Sequence, residues 1–446
     1  MSGNAVVTVL AIVLSLVISA ILIIVTNPRV TESAGYFFAR PLDTLSAAWT
    51  AISEAYLALF RGAIFNYNGT TTVQMFRPLT ETLTVATPLI IVALGVAIAF
   101  RTGLFNIGGQ GQFLIGAMFA TVGGVYLNLP FGVHLLVVII MAALGGLLWG
   151  GLVGVLKAYT GAHEVILTIM LNYVALHLVS YALNTPFLRR EGTNNPISAT
   201  FAETATFPLL VSSSFRLHWG FVMAVLLTLF AWWLLERSTL GFRLRAVGAN
   251  PTAAQTAGIS VKGGYIAAMG IAGALAGLGA VSHISGTEKV LTSGIAGQFG
   301  FDAITVALLG RSNPVGVLFA GLLFGALRAG GATMQTQTGV PIDIVLVVQS
   351  FIVLFIAAPP LVRTLFRLPA PSAARARKKA DVVTQPALAG AAVSGSGGEA
   401  VAPSATSGEA AAEGATATPD ANPDPDGGPP ADPGSDVPAR TEEEGR

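Results

Sequence analysis

Cysteine is absent from this chain of 446 residues, which excludes disulfide bonds and thiolate metal sites. Charge is also scarce: 11% of the residues are charged, whereas soluble globular proteins carry about 25%. A basic surplus is missing too, because the formal net charge is +1, and a nucleic-acid partner needs a positive field to attract phosphates. The sequence therefore predicts a protein with little surface in water and no nucleic-acid partner.

The motifs of ATP-hydrolysing and metal-dependent enzymes are missing as well. A P-loop needs a lysine directly after a glycine, so that backbone amides and an ammonium surround the phosphates, and none of the five lysines has that context. The five histidines show no metal-ligand spacing, and no G-x-S-x-G nucleophile motif occurs. We therefore expect no enzyme activity, no metal and no cofactor bound by this chain.

Long apolar runs are abundant, and they determine the fold class. Apolar residues make up 53% of the chain, and a run of about 18 of them is long enough to cross a bilayer as a helix. We predict an all-α membrane protein with about ten transmembrane helices, and eight or nine remain possible because the eighth and ninth runs are short. The predicted spans are Ala5–Val25, Leu83–Phe100, Ile107–Leu127, Phe131–Leu156, Val165–Leu183, Trp219–Leu235, Gly264–Ser285, Gly297–Gly310, Val315–Leu327 and Ile342–Ala358.

The distribution of basic residues predicts the orientation. With the amino terminus inside and ten spans, thirteen Lys and Arg residues fall in inside segments and nine in outside segments, among them Arg328. The positive-inside rule then places both termini in the cytoplasm. The first run follows Met1–Asn4, which contain no Lys or Arg, so we expect an uncleaved anchor rather than a signal peptide.

Three segments between and after the spans have distinct compositions. Glu54–Phe65 has apolar residues at helical spacing, which favours either an amphipathic helix at the membrane surface or a short helix capping the bundle. Asn184–His218 is polar and is expected to form an ordered external loop. From Pro369 to Arg446 the chain is rich in Ala, Gly, Pro and acid and has almost no aromatics. We predict a transmembrane domain over residues 1–368 and a disordered cytoplasmic tail over 369–446, whose basic stretch Arg375–Lys379 can lie against anionic membrane lipid.

The inside loop Glu236–Gly263 predicts a short helix. Asn250 is a good helix cap, Pro251 suits the first helical position, and Gly258 suits a left-handed stop after Thr252–Ala257. A helix this short is unstable alone in water, so it must pack on its own bundle or on a partner. We expect Ala254 on its exposed face, with Arg243 and Arg245 beside it.

Polar side chains inside the apolar runs are candidates for a solute pathway. Arg101–Gly116 places Asn106, Gln110 and Gln112 among glycines at a junction of two spans, which indicates either a cavity lining or a tight turn. Ionisable residues within spans mark pathways by default, and Glu164 and Asp302 are the candidates. Glu164 also fits a helix-start carboxylate favoured by the helix dipole.

Four stretches resemble the permeases of ABC importers, in the class that carries branched-chain amino acids and monosaccharides, and within it the nucleoside and simple-sugar permeases. The stretches are RTGLFNIGGQGQFLIGA, EVILTIMLNYVALHLVSYAL, GFRLRAVGANPTAAQTAGISV and GFDAITVALLGRSNPVG. They occur in the family's order, and the resemblance runs from about residue 54 to about residue 358.

This resemblance implies a type II ABC importer permease fold in the plasma (inner) membrane. It implies a second permease subunit, an ATPase subunit that binds ATP and Mg²⁺, and an extracytoplasmic substrate-binding lipoprotein. The family's coupling helix maps to Asn250–Gly258. Its pathway segment maps to Phe105–Gln112, to which Asn172 and Asp302 add polar groups. The implied function is import of a small polar solute, a nucleoside or a simple sugar.

Three other classes of membrane protein are alternatives to this one. An ion-coupled secondary transporter also fits ten spans with inverted halves, and it would need Asp302 or Glu164 as a coupling site. A channel would need a repeated filter motif, and a membrane enzyme would need a catalytic cluster. Neither pattern is found in the sequence.

Overall fold

The computed structural model describes residues 3–357 together with Thr364 and Phe366. This part of the chain is helical, and its extended residues form only isolated bridges. The helices are α1 Gly3–Thr26, α2 Pro28–Ala34, α3 Pro41–Ala63, α4 Thr72–Arg101, α5 Gly109–Tyr126, α6 Val133–Thr160, α7 Glu164–Asn184, α8 Gly220–Arg237, α9 Thr239–Ala249, α10 Pro251–Thr256, α11 Val261–His283, α12 Phe299–Leu309, α13 Pro314–Thr338 and α14 Asp343–Ala357. The predicted tail over 369–446, including Arg375–Lys379, lies outside the described residues.

Each of the ten predicted spans corresponds to one of these helices, so the prediction of an all-α membrane protein is confirmed. Seven of them are long and apolar enough to cross a membrane: α1, α4, α6, α7, α8, α11 and α13. α5 has 18 residues, and α12 and α14 are shorter apolar helices. The predicted ninth span was too short, because α13 continues to Thr338. Arg328, predicted to follow the ninth span, therefore lies within a helix.

Helix α4 forms the centre of the bundle. Every residue from Ala86 to Ala99 is buried, which means that α4 is covered on all sides by other helices. Pro88 lies inside this helix without ending it: its missing N–H leaves the Thr84 carbonyl without a helical donor, and neighbouring helices enclose that turn.

The tightest packing joins α6 and α11 through facing glycines. Gly146 and Gly150 lie on the buried face of α6, and Gly273 and Gly277 lie on α11. A Cβ added at Gly146 would lie 2.0 Å from the carbonyl oxygen of Gly273. Small residues four apart allow this backbone approach, which replaces the hydrophobic effect as the source of packing energy inside a membrane.

The helix predicted at Glu54–Phe65 is longer than expected and packs on the bundle. As α3 it begins at Pro41, and its small residues form a buried face against α13. A Cβ added at Gly330 of α13 would lie 2.4 Å from the Leu59 carbonyl oxygen, and the Tyr56 hydroxyl donates to the Leu16 carbonyl of α1. Of the two predicted placements, these contacts favour the helix that packs on the bundle.

The loop between α7 and α8 is ordered, as predicted. Isolated bridges join Arg189 to Ser198 and Leu209 to His218, and a third joins Ile197 to Thr292 in the segment before α12. The loop therefore covers the end of the bundle at which α11 finishes and the segment leading to α12 begins.

Candidate functional site

The connection between α4 and α5 is an irregular segment that starts at one end of the bundle. Arg101, the last residue of α4, donates from Nε to the Ser312 carbonyl at 3.0 Å, in the turn between α12 and α13. Gly103 has a φ of +77° and lies against Gly248 of α9. The α4 terminus, the α12–α13 turn and α9 therefore share one end of the bundle, which we call the α9 end.

Helices α5 and α12 both begin deep in the bundle, and the side chain of Gln110 joins their first turns. Its Nε2 donates to the Gly297 carbonyl at 2.8 Å, and its Oε1 accepts from the Gly300 backbone amide at 2.9 Å. α12 has 11 residues, which span about 16 Å before the turn at the α9 end. This distance from the α9 end is about half the thickness of a hydrocarbon core, which is about 30 Å.

The irregular segment before α5 is held by buried amide side chains. Asn106 accepts from the Gly108 amide at 2.9 Å and donates to Gln112 Oε1 at 3.1 Å. Asn172 of α7 donates to the Ile107 carbonyl at 3.0 Å and accepts from the Gly111 amide at 2.8 Å. Backbone that is not helical at this depth needs such internal partners, because lipid offers none.

A cavity of about 660 Å³ lies beside these helix starts. We call it the central cavity. Helices α5, α7 and α12 and the segment before α12 form its walls, and none of the lining residues is Asp, Glu, Lys, Arg or His. The lining residues are Ile107, Gln110, Leu114, Ile169, Asn172, Tyr173, Leu176, Ser293, Gly294, Ala296, Gly297, Phe301 and Ile304.

The structure places two of the predicted pathway residues, Gln110 and Asn172, on the central cavity. Asn106 and Gln112 lie behind its wall, where they are 1% and 0% exposed and bonded to each other. Phe105 is half-exposed and its ring lies against Phe100, with ring centroids 5.0 Å apart, outside the cavity lining. Phe105, Asn106 and Gln112 therefore do not line the central cavity, because Phe105 lies outside its lining and the amides of Asn106 and Gln112 bond each other.

Asp302 is also absent from the central cavity lining. Its Oδ2 accepts from Arg328 of α13 at 3.3 Å, and the Arg328 guanidinium carbon lies 4.9 Å from the centroid of the Phe299 ring. A partly buried carboxylate inside a helix bundle is stabilised by such a partner. Asp302 therefore does not line the central cavity, and its ion pair joins α12 to α13.

Glu164 likewise has a partner. Its Oε2 lies 2.9 Å from the Lys157 ammonium, across the short turn between α6 and α7. This geometry fits the helix-start alternative of the sequence analysis, with a carboxylate in the first turn of α7. Both carboxylates considered for ion coupling are therefore occupied by ion pairs in this chain.

Removing the amide of Asn106 is expected to destabilise the fold. Asn106→Ala leaves buried Gln112 without its side-chain partner, and an unsatisfied buried polar group costs about 1–3 kcal/mol. Thermal unfolding of the detergent-solubilised protein should show a lower Tm. Asn194→Ala, at an exposed position in the α7–α8 loop, is the control and should leave Tm unchanged. An Asn106→Ala variant with the Tm of the unmodified protein would contradict a structural role.

The two aromatic residues of the cavity lining, Tyr173 of α7 and Phe301 of α12, are among those that the sequence analysis missed. Both rings are exposed, at 60% and 45%, and both line the central cavity. Tyr173 directly follows Asn172, and Phe301 directly follows Gly300. No sequence signal separates an aromatic ring that faces a cavity from one that faces lipid, because both sit in apolar helices.

The predicted loop helix is present at the α9 end as α10. Asn250 caps it by accepting from the Ala253 amide at 3.1 Å, Pro251 is its first residue, and Gly258 has a φ of +80°. The sequence analysis missed α9, an 11-residue helix that precedes α10. Arg243 on α9 is exposed, whereas Arg245 donates to Glu236 Oε2 at 2.8 Å.

The expected exposure of Ala254 is wrong. Its side chain is 4% exposed, because α10 packs this face against its own chain. Ala253 of α10 and Ala257, which directly follows the helix, are exposed, as are Thr252, Gln255 and Thr256. α10 thus gains part of its stability from its own bundle and keeps a small outer face for a contact.

A second cavity, of about 560 Å³, lies where α3, α4 and α13 meet the α7–α8 loop. We call it the arginine cavity, because its lining includes Arg61, Arg77, Arg216 and Arg328. Glu81 is its one acidic lining residue and lies 3.5 Å from Arg216. Within the described residues no group of three or more His, Asp or Glu side chains has metal-binding geometry.

Comparison with known proteins gives one matching family model. Residues 79–357 match the family described as "Branched-chain amino acid transport system / permease component". The matched residues include α5 and α12, the lining of the central cavity, and α9 and α10. No solved structure matches the chain.

Curated relatives carry related descriptions. The chain is 40% identical to a guanosine ABC transporter permease protein of Bacillus subtilis over 284 residues, which cover 64% of this chain and 82% of that protein. It is 34% identical to a glucose ABC transporter permease protein of Haloferax volcanii, over 74% of this chain and 90% of that protein. A second guanosine ABC transporter permease protein of Bacillus subtilis is 30% identical, over 55% of this chain and 78% of that protein.

Proposed function

Since the chain belongs to the family of branched-chain amino acid transport system permease components, we propose that it is the membrane-spanning permease subunit of an ABC importer. Its cargo is a small polar solute, a nucleoside or a simple sugar, which moves into the cytoplasm. Like its relatives, which are described as permease components, the chain is a transport component and not an enzyme. Relatives described as guanosine and glucose permeases support this range of cargo.

The central cavity is the observation that carries this proposal. We place it near the middle of the membrane, beside the first turns of α5 and α12. Its lining has no charged group. Binding sites of transporters occur at this depth between discontinuous helices, because the free backbone groups and amides there can contact a solute. The cavity needs to bind only weakly, since a solute that is held tightly cannot leave on the other side.

In this proposal the ATPase subunit binds at the α9 end. α10 offers an exposed face of Ala253 and Ala257, with exposed Arg243 nearby, and such a small surface fits into a groove of a partner. This end then faces the cytoplasm, in agreement with the orientation predicted from the basic residues. The partner supplies the free energy of ATP bound with Mg²⁺, and α10 transmits its movement to the bundle.

In this proposal the substrate-binding lipoprotein docks at the arginine cavity. It lies at the end opposite to α9, between the two long outside segments of the sequence analysis, and carries an excess of positive charge. Acidic side chains of a binding protein would be attracted there. A second permease subunit completes the pathway, as the pair of guanosine permease proteins of Bacillus subtilis suggests.

Purification from native membranes tests this subunit composition. A chain with an affinity tag on its amino terminus, solubilised in mild detergent, should retain an ATPase, a second permease and a lipoprotein. Mass spectrometry of the eluted complex identifies them. A chain that purifies alone from several mild detergents, while remaining folded and monodisperse, would contradict the proposal.

A further inference from the structure

The central cavity presents two free aromatic rings to a solute. On α7 the lining residues Ile169, Asn172, Tyr173 and Leu176 follow the spacing of one helix face. On α12, Phe301 faces the cavity together with Ile304. Each ring stands on a different wall of the cavity.

Neither ring is used by the protein itself. Within the described residues, Tyr173 and Phe301 stack on no other ring, whereas Phe113 stacks on Phe299. Their exposed fractions, 60% and 45%, leave a ring face available to a molecule in the cavity.

The polar groups of the cavity are few and largely occupied. Gln110 and Asn172 already make two hydrogen bonds each to backbone groups. Each amide keeps one N–H and one oxygen lone pair for a solute. A sugar without a base has hydroxyl groups around its whole ring, and most of them would lose their bonds to water without replacement. A flat heteroaromatic base has apolar faces and a polar edge, which matches apolar walls and a few amides.

The absence of charged residues from the cavity lining limits the class of solute further. No Asp, Glu, Lys, Arg or His lines the cavity, so a phosphate or carboxylate would leave water without a counter-charge. A neutral solute avoids this cost. Arg328 lines a neighbouring pocket that shares Gly294 and Gly297 with the central cavity, and its charge is already paired with Asp302.

We propose that Tyr173 and Phe301 are the residues that select a base-bearing neutral solute, a nucleoside, over the free sugar, by stacking on the base. This inference rests on the proposed transport function and adds the residues that set its specificity. Stacking on either ring face requires no particular hydrogen-bond pattern, so purine and pyrimidine nucleosides are both accepted.

Competition in transport tests the stacking role. The complete complex is reconstituted in liposomes, uptake of radiolabelled guanosine is measured, and unlabelled guanosine or ribose is added as competitor. Ribose is the matched solute, because it lacks only the base. The readout is the ratio of the two inhibition constants, which a general loss of folding or activity does not change.

Tyr173→Leu and Phe301→Leu should each reduce the preference for guanosine over ribose by about fivefold or more, as expected for the loss of one stacking partner. Tyr173→Phe keeps the ring and should keep the preference. Tyr181→Leu on the same helix and Phe319→Leu on α13 remove exposed rings that do not line the cavity, and both should leave the ratio unchanged.

An unchanged ratio in both cavity variants, with guanosine uptake still measurable, would overturn the stacking role. An unmodified complex that imports ribose with ATP and ignores guanosine would overturn it as well, while leaving the importer function intact. An unmodified complex without ATP-dependent uptake of either solute would overturn the proposed function and this inference together.

Discussion

Leucine at position 146 is expected to abolish folded protein in the membrane. Gly146 lies where α6 touches α11, and a Cβ there would lie 2.0 Å from the Gly273 carbonyl oxygen. A contact this short with backbone cannot be relieved by a rotamer change, so the two helices would have to separate. Fluorescence-detected size-exclusion chromatography of a tagged chain should show Gly146→Leu as aggregate, with less than about a tenth of the normal monodisperse peak.

Gly151→Leu is the matched control on the same helix. A Cβ at Gly151 meets no atom within 4 Å, so leucine there adds only a lipid-facing or partner-facing side chain. This variant should elute like the unmodified protein. A Gly146→Leu variant that also elutes normally would show that the α6–α11 contact is looser than the structure has it.

Tryptophan at position 253 is expected to prevent the ATPase from binding. Ala253 is exposed on α10, and its small side chain leaves the helix thin enough to enter a groove. Tryptophan fills that groove by volume alone, and the backbone of α10 and its Asn250 cap stay unchanged. Co-purification of the ATPase should fall by about tenfold or more, which corresponds to a loss of about 1.4 kcal/mol or more in binding. Uptake should fall with it.

Two further variants separate docking from folding. Ala39→Trp changes an exposed alanine near α3, on a segment predicted to lie outside, and should leave ATPase binding intact. Ala254→Trp changes the buried neighbour of Ala253 and should lower the thermal stability of the chain itself. Full retention of the ATPase by a folded Ala253→Trp variant would remove the coupling role from α10.

The sequence predicts the helices of this protein well, for a physical reason. A lipid environment forces each crossing segment to be helical and apolar, so ten runs of apolar residues lead directly to ten helices. The α10 cap is equally local: Asn250, Pro251 and Gly258 each act on their own neighbours, and all three behave as predicted.

Contacts between distant parts of the chain are what the sequence does not show. Asn106 and Gln112 read as cavity residues because amides inside a span are unusual, but each can satisfy the other when the chain turns sharply between them. Asp302 looked isolated in its span because its partner, Arg328, lies 26 residues away on another helix. The burial of Ala254 depends on how α10 packs on α9, a helix that the pattern did not indicate.

The length of α13 illustrates the same limit. Apolar periodicity stops at Arg328, so the predicted span ends at Leu327, whereas the helix continues for eleven more residues to Thr338. The Arg328 charge is tolerated in the helix because its guanidinium forms an ion pair with Asp302 and lies over the Phe299 ring. A hydropathy window treats each residue separately and cannot recognise such a pair.

The energy source of uptake tests the central claim most directly. The purified complex in liposomes, with guanosine and binding protein on the side opposite to the ATPase, should accumulate guanosine only when ATP and Mg²⁺ are supplied on the ATPase side. Ionophores that remove proton and sodium gradients should have no effect. Accumulation driven by a proton or sodium gradient in the absence of ATP would contradict the importer account and identify the chain as a secondary transporter.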